Sequence, residues 1–341
     1  MTKKNLDWEN LGFEYHETDK RYIANYKDGE WEKGKLSSDS EVVINESAAV
    51  LQYCQQVFEG LKAYTTEDGS VVTFRPDLNA ERMLKSAEGL QMPPFPKERF
   101  LEAVDQVVEA NLDWVPPYGT GASLYLRPFI FGSKDVIAIK PAEEFQFRLY
   151  ATPVGPYFKG GVKPLTLRVS KYDRAAPRGT GHLKAGLNYA MSLNTTVKAH
   201  EAGYDENLFL DAATRSYVEE SGGANIIFIT EDKELVTPKS NSILPSITKR
   251  SILYLAENYL DLKVTERPVK LEELNNFAEA GLCGTAAVIS PIGRIVNGEE
   301  EIKFPSGMQD MGPVIKKIYK TLTQMQLGVK EAPEGWIRKI K

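Results

Sequence analysis

Lys184 lies in a stretch that combines a single lysine with glycines on both sides, from residue 178 to residue 189. A lysine amine forms Schiff bases with carbonyl compounds where its surroundings favour the neutral amine. The glycines allow the backbone beside the lysine to approach a ligand closely. Because most lysines are ordinary surface residues, this stretch alone indicates a catalytic role only weakly.

Three further segments place small, hydroxyl or acidic residues where they can meet a charged ligand. Residues 244–250 begin a helix, and the N–H groups of a first helical turn, together with the Thr248 hydroxyl, can bind an anion. Residues 284–287 follow a strand, and their small side chains leave backbone amides open to a carboxylate or phosphate. Glu220 lies just before a glycine-rich segment that leads into a predicted strand, and there its carboxylate can pair with a cationic ring nitrogen. The simpler interpretations are a helix cap, a tight turn and a solvated carboxylate.

Two strands in the first half of the chain carry aromatic and cationic side chains in alternation. Residues 57–64 contain Phe58 and Lys62, and residues 124–128 contain Tyr125 and Arg127. Alternate residues of a strand share one face of the sheet. An unpaired charge that faces inwards is costly, so these cations favour a site beside an anionic substrate. Aromatic residues in such a pattern otherwise belong to a core.

The elements that would position these residues mix strands with helices along the whole chain. In the first half, strands are predicted at residues 21–26, 34–36, 57–64, 70–74, 123–131 and 146–154. Helices are predicted from an N-cap at Asp77 to just before residue 93, and over residues 98–111. In the second half, the predicted strands are 165–170, 206–211, 224–230 and 282–290, and the predicted helices are 188–202, 246–260 and 311–325.

The segment 155–161 is rich in glycine and turn-forming residues and reads as a linker. Strands and helices on both sides of it indicate two α/β or α+β domains. We place the N-terminal domain at residues 1–154, the linker at 155–164 and the C-terminal domain at 165–341. Residues 332–341 are expected to form a loosely held tail.

Composition and charge exclude several classes of function. The 341 residues carry a net charge of −5 and show no basic stripe, which argues against general nucleic-acid binding. The two cysteines form no CxxC pair and the three histidines are scattered, so neither a metal site nor a disulfide framework is expected. No apolar run suggests a signal peptide or a membrane span. A cytoplasmic location is therefore expected.

Together, the order and spacing of seven segments resemble the branched-chain amino-acid aminotransferases, which are pyridoxal-phosphate enzymes of fold type IV. The similarity runs from about residue 22 to residue 328. The segments that carry it are Phe58-Glu59-Gly60, Phe74-Arg75-Pro76, Tyr125-Leu126-Arg127-Pro128, residues 178–189, 220–225 and 244–248, and Gly284-Thr285-Ala286. The resemblance implies a smaller N-terminal and a larger C-terminal domain with the site at their junction, in a homodimer whose subunits contribute to each other's pockets.

The resemblance also implies roles for single residues. Lys184 matches the lysine that holds the cofactor covalently, Glu220 the carboxylate on the pyridine nitrogen, and Tyr189 the tyrosine near the ring hydroxyl. The matches to the phosphate contacts are Arg82, Ile247, Thr248 and Thr285. The matches to the substrate pocket are Tyr53, Phe58, Tyr125, Arg127, Tyr157, Ala286 and Ala287. The implied reaction exchanges an amino group between leucine, isoleucine or valine and 2-oxoglutarate, in the biosynthesis or breakdown of these amino acids.

The sequence departs from the family pattern at a few positions. Leu187 and Cys54 stand where glycine is usual, and Lys62 stands where many relatives carry arginine. Ala287 and Ser290 occupy the positions of a redox CxxC pair in mammalian members, so that regulation is not expected.

Three alternatives remain open at this point. A D-amino-acid aminotransferase of the same fold would carry an Arg-x-His carboxylate trap where this chain has Tyr125-Leu126-Arg127. An aminodeoxychorismate lyase is usually shorter, and a half-reaction with leucine would separate it. A small-molecule-binding protein without activity is disfavoured because every position with a chemical role is retained.

Overall fold

The computed structural model describes residues 3–156, 162–176 and 178–341, and the chain divides into two compact units. The first unit takes the described part of residues 1–157 together with Leu183–Leu187 and Met325–Lys341. The second unit takes the described part of 158–182 together with Asn188–Gln324. Lys184 and the C-terminal residues are thus grouped by their contacts with the first unit, although the sequence-based boundaries assign them to the C-terminal domain. Tyr157 and much of the expected linker lie outside the described residues.

The first unit is built on one sheet. Its described strands are β1 (Arg21–Lys27), β2 (Glu30–Trp31), β3 (Lys35–Ser37), β4 (Gln56–Phe58), β5 (Leu61–Thr65), β6 (Val71–Phe74), β7 (Ser123–Gly132), β8 (Phe145–Val154) and β19 (Ile337–Lys339). They pair in the order β19-β6-β5-β7-β8-β1-β2, with β3 on β1 and β4 on β7. The helices are α1 (Ala49–Tyr53), α2 (Pro76–Gly89) and α3 (Lys97–Ala110), with a 3-10 turn at Leu112–Trp114.

The two faces of this sheet have different compositions because side chains alternate along each strand. Leu124, Leu126 and Phe147 lie on the buried face, in one cluster with Phe100 and Val104 of α3. Burial of this apolar face is the main favourable contribution to folding of the unit. The intervening residues of β7 project from the opposite face, which is therefore available for polar and cationic side chains.

The second unit is built on another sheet. Its described strands are β9 (Leu165–Val169), β10 (Glu206–Leu210), β11 (Tyr217–Ser221), β12 (Asn225–Thr230), β13 (Leu235–Pro238), β14 (Val264–Arg267), β15 (Val269–Lys270), β16 (Phe277–Gly284), β17 (Val288–Asn297) and β18 (Glu300–Lys303). They pair in the order β14-β13-β12-β16-β17-β9-β10-β11-β15, with β18 on β17. The helices are α4 (Gly186–Glu201), α5 (Ile247–Leu260) and α6 (Pro313–Gln326), with a 3-10 turn at Leu271–Asn276. Phe228, Phe277 and Ile292 lie in the core of this unit.

Local sequence signals account for several of these elements. Asp28 and Gly29 connect β1 to β2, both with positive φ (54° and 89°), as the favoured two-residue hairpin turns require. The Ser246 Oγ accepts a hydrogen bond from the Lys249 N–H and caps α5. Cys54 ends α1 at φ 53°, so it adopts the left-handed conformation that glycine would take more readily. Leu187, the other departure from glycine, packs against the core of the first unit.

Four expectations from the sequence were wrong. Residues 57–64 form two strands rather than one, because the chain breaks at Glu59-Gly60. The strand expected at 282–290 is likewise interrupted by a turn at residues 285–287. The N-cap of α2 is Arg75, at φ 48°, and Asp77 lies inside the helix.

The C-terminal residues are the fourth correction. Instead of a loose tail, Ile337–Lys339 form β19, which pairs with the β6 edge. Arg338 binds Asp105 of α3 through its guanidinium, and Trp336 packs edge-on against Phe74 at 5.6 Å between ring centroids. The segment is short and mixed in composition, so its strand is stabilised by these long-range partners rather than by local propensity.

Candidate active site

Lys184 is held in the first unit through its own backbone. Its N–H donates to the Ser86 Oγ of α2 at 3.0 Å, and its carbonyl accepts from the Phe58 N–H at 3.0 Å. The neighbouring Ala185 is fully buried and bridges to Val57. The side chain is half-buried, with Nζ 4.9 Å from the centroid of the Phe58 ring. Contacts with β4 and α2 therefore determine where the Lys184 side chain begins, as expected of a lysine that must reach a ligand from a defined position.

Phe58, Tyr125, Arg127 and Lys184 come together in what we term the aromatic–cation cluster. The Arg127 guanidinium carbon lies 4.9 Å from the Phe58 ring centroid and 5.4 Å from that of Tyr125. Arg127 and Tyr125 alternate on β7 and so share one face of the sheet. A Cβ on Gly60 would lie 2.0 Å from the Tyr125 hydroxyl, so only glycine permits this placement of the tyrosine.

Lys62 is a further cation on the same face. It pairs with Tyr125 across the β5–β7 ladder, so the two side chains lie side by side. Burial lowers the pKa of Lys62 to about 8, because desolvation disfavours the charged amine. The face of the sheet opposite the core thus carries Lys62 and Arg127 around two aromatic rings.

Arg82 forms a buried ion pair that sequence reasoning did not anticipate. Its Nε donates to Glu59 Oε1 at 2.7 Å and its Nη2 to Glu59 Oε2 at 2.8 Å, a two-pronged contact. The Asn79 amide adds a third bond to Glu59 at 2.7 Å, and Glu59 is fully buried. Glu59 therefore orients Arg82. The available signal was an acidic residue, Glu59, within a segment predicted as a mostly apolar strand, because a buried acid needs a compensating cation.

Glu220 lies in the second unit, and both oxygens of its carboxylate have polar partners. Oε1 accepts from the Leu244 N–H at 2.8 Å and lies 2.9 Å from Arg174 Nη2, while Oε2 accepts from the Asn225 amide at 2.7 Å. Burial raises the pKa of the Glu220 carboxyl to about 7, and the Arg174 guanidinium opposes this rise. Arg174 and Asn225 were not assigned from the sequence. Asn225 stood within the singled-out segment, whereas nothing local marked Arg174.

Two backbone features of the second unit suit an anion. Ile247 and Thr248, which are 8% and 6% exposed, occupy the first turn of α5, whose N–H groups have no acceptor within the helix. Thr285, Ala286 and Ala287 form the turn between β16 and β17. Val288 follows that turn at φ 63°, a left-handed conformation that is rare for a β-branched residue.

The remaining expected residues have different surroundings. Tyr189 is half-buried in the first turn of α4. Tyr53 is 39% exposed at the end of α1, and its hydroxyl donates to the Ile137 carbonyl rather than lining the aromatic–cation cluster. Tyr157 lies outside the described residues. Within those residues, no group of three or more potential metal ligands occurs, and no helix is long and apolar enough to cross a membrane.

Comparison with known proteins places this geometry in a family. Residues 56–295 match amino-transferase class IV. The chain is 50% identical to the branched-chain-amino-acid aminotransferase of Haemophilus influenzae over 343 residues, covering 99% of this chain and 100% of that protein. The solved branched-chain aminotransferase of Escherichia coli superposes with a TM-score of 0.79 at 27% identity, covering 95% of this chain and 100% of that one. The solved T.th. enzyme with pyridoxamine 5'-phosphate gives a TM-score of 0.78 at 25% identity, covering 95% and 99%.

The chain belongs to the class IV aminotransferases, and within that class to the branched-chain amino-acid aminotransferases. The family resemblance and the mixed α/β fold of type IV expected from the sequence are confirmed.

The Glu59–Arg82 contact predicts a large loss of stability when its acid is neutralised. Glu59→Gln removes the carboxylate that the structure places against a buried guanidinium, so unfolding free energy should fall by about 3 kcal/mol or more. The control is Glu81→Gln, which breaks the exposed 2.6 Å contact with Lys97 and should cost about 1 kcal/mol or less. Urea unfolding of cofactor-free protein measures both. Equal losses for the two variants would contradict the importance of the buried pair.

Proposed function

We propose that this chain exchanges an amino group between leucine, isoleucine or valine and 2-oxoglutarate, with pyridoxal 5'-phosphate as cofactor. The observation that carries the proposal is the Lys184 amine, anchored through its backbone, beside the Phe58 ring that the Arg127 guanidinium also contacts. This reaction needs a lysine for the cofactor, an apolar wall for the branched side chains and a cation for the side chain of the acidic substrate. The similarity to enzymes named for this activity supports it.

The residues present fit the cofactor's chemistry. Its phosphate is a dianion, which suits the α5 helix start, and its ring nitrogen is cationic when protonated, which suits a buried carboxylate. We propose Arg82, Ile247, Thr248 and Thr285 for the phosphate. Glu220 would pair with the ring nitrogen, Tyr189 would lie near the ring hydroxyl, and Lys184 would hold the group covalently.

The bound cofactor supplies an electron sink for the charge that builds up at the substrate's α-carbon. The protein contributes proton transfer and orientation. Lys184 Nζ would take the proton from the substrate's α-carbon as a base and then deliver it to a different carbon as an acid. The Glu220 carboxylate keeps the proton on the ring nitrogen. Phe58, Tyr125, Tyr53 and Tyr157, with the backbone at Ala286 and Ala287, would enclose the substrate.

A direct test compares the two half-reactions. Purified enzyme mixed with L-leucine should lose the absorbance band of its covalently bound cofactor, and 2-oxoglutarate should restore it. Lys184→Ala removes the amine and should abolish both the band and turnover. Lys184→Arg keeps the charge but not the reactive amine, so it should be equally inactive. Substantial leucine transamination by either variant would assign the chemistry to another residue.

Recognition of the acidic substrate is assigned to Arg127. Arg127→Met should lower kcat/KM for glutamate and 2-oxoglutarate by about ten- to a hundredfold, since a charged hydrogen bond is lost, and alter the leucine value by less than about threefold. The control is Arg148→Met, on the neighbouring strand β8, where the guanidinium donates to the carbonyls of Glu41 and Asp39. That variant should change kcat/KM for the acidic substrates and for leucine by the same factor. Stopped-flow measurements follow the half-reaction with leucine and that with the acidic substrate separately. Equal losses of kcat/KM for both substrates in Arg127→Met would indicate that the arginine is structural.

We further propose a homodimer. Leu51, Tyr53, Ile137 and Ile139 are 57%, 39%, 81% and 93% exposed, and the Tyr53–Ile137 hydrogen bond brings their segments together. Apolar exposure on this scale suits a surface that a second copy covers. Replacing Ile137 and Ile139 by aspartate should shift sedimentation to the monomer, whereas Val329→Asp, at an exposed site elsewhere, should not. A monomeric parent protein would contradict the proposal.

A cytoplasmic location belongs to the same proposal. Cys54 and Cys283 are both free thiols, which suits a reducing compartment.

A further inference from the structure

Arg174 connects Glu220 to two loops of the second unit. Its Nη2 lies 2.9 Å from Glu220 Oε1 and donates to the carbonyls of Gly181 and Ser242 at 2.7 and 2.8 Å. The side chain is 6% exposed. Gly181 is required for this arrangement, since a Cβ there would lie 2.4 Å from the Ser242 carbonyl oxygen. One guanidinium nitrogen thus fixes the carboxylate relative to the loop that leads towards α4 and to the loop that precedes α5.

Glu220 needs a neighbouring cation to remain charged. It is 3% exposed, and burial of an ionised carboxylate without a compensating charge is strongly unfavourable. Its donors differ in kind, because Leu244 and Asn225 offer neutral N–H groups, whereas Arg174 offers a full positive charge. An opposite charge at such a distance favours the ionised form, and among the groups around Glu220 it is Arg174 that lowers the pKa of the carboxyl most.

The other ionisable groups around Glu220 are few among the described residues. Glu219, its neighbour on β11, disfavours the anion, and Lys249 on α5 favours it. Lys249 itself contacts Glu266 at 3.1 Å, so much of its charge is already balanced. Cys283 on β16 is neutral, since burial raises the pKa of its thiol to about 12. Arg174 is therefore the dominant cation for Glu220.

We propose that Arg174 is a positioning residue that keeps Glu220 ionised and oriented, so that the carboxylate is ready to hold a protonated ring nitrogen. This inference rests on the role proposed for Glu220. Arg174 itself needs no contact with cofactor or substrate, because its effect passes through the carboxylate. A purely structural arginine would stabilise the unit equally at every pH.

Unfolding of the cofactor-free enzyme between pH 5 and 9 tests the charge effect without catalysis. Because the folded pKa of Glu220 lies above its unfolded value, this group's stabilisation is present below the unfolded pKa and is lost as the pH rises to about 7. In Arg174→Met the folded pKa should rise by a further one to three units or so. The decline in stability should then continue to about pH 8 or above. Arg174→Lys, which keeps the charge, should behave nearly like the parent.

The double variant Arg174→Met/Glu220→Gln isolates the coupling. In this double variant, the additional fall in unfolding free energy with rising pH should disappear, because no Glu220 carboxyl remains to titrate. If Arg174→Met does not fold, Arg174→Gln replaces it, since it keeps donors for the two carbonyls but carries no charge. The proposal would be overturned if the unfolding free energy of Arg174→Met fell with pH as it does in the double variant, or if it showed no additional fall relative to the parent.

The holoenzyme gives a second, separable readout. The acid limb of the pH profile for the leucine half-reaction should move upward by about one unit or more in Arg174→Met and return in Arg174→Lys. If Glu220 serves another purpose, this limb will not move, while the unfolding data of the cofactor-free protein will still show the coupling. Failure of the unfolding test alone would reject the role of Arg174 and leave the proposed reaction intact.

Discussion

The burial of charged carboxylates is the constraint on which both units depend. Glu59 in the first unit and Glu220 in the second are almost completely removed from water, and each lies against an arginine. Burial of a carboxylate is strongly unfavourable unless a cation or hydrogen bonds compensate for the lost water. The pairs differ in geometry: Arg82 meets Glu59 through two nitrogens, whereas Arg174 offers Glu220 one nitrogen that it shares with two carbonyls. The first arrangement orients the arginine, and the second orients the acid.

Lys184, the lysine proposed to hold the cofactor, is positioned in a different way, through peptide groups rather than charges. The backbone of Lys184 is bonded on one side to Phe58 and on the other to Ser86, while the amine stays half-exposed beside an aromatic ring. A backbone anchor fixes where the side chain begins and leaves its four-carbon stem able to move, which suits a group that alternately bonds a ligand and transfers a proton. The buried face of the same sheet supplies the rigidity, since Leu124, Leu126 and Phe147 are completely enclosed.

Sequence reasoning succeeded where the determining interactions are local. The helix start predicted within residues 244–250 depends on the Ser246 cap, whose donor Lys249 is three positions away. The strand break at Glu59-Gly60 was missed because its causes are distant: Glu59 turns towards Arg82 on α2, and Gly60 makes room for Tyr125 on β7. Arg174 had no local signal for the same reason, since Glu220 becomes its partner only after the sheet has formed. The C-terminal strand likewise depends on β6 and on Asp105, neither of which is near it in the sequence.

The aromatic–cation cluster also bears on how one pocket can receive both leucine and glutamate. A cation that binds the side-chain carboxylate of glutamate would have no counter-charge when leucine is bound instead. A buried charge without a counter-charge is strongly unfavourable. In this structure the Arg127 guanidinium lies over the rings of Phe58 and Tyr125, whose faces are negative. A cation–π contact is weaker than an ion pair but needs no water and no acid. The same rings can therefore pack against an apolar substrate and also contact the Arg127 guanidinium when no acidic substrate is bound. With the role proposed for Arg127, the aromatic residues would serve dual specificity through electrostatics as well as through apolar contact.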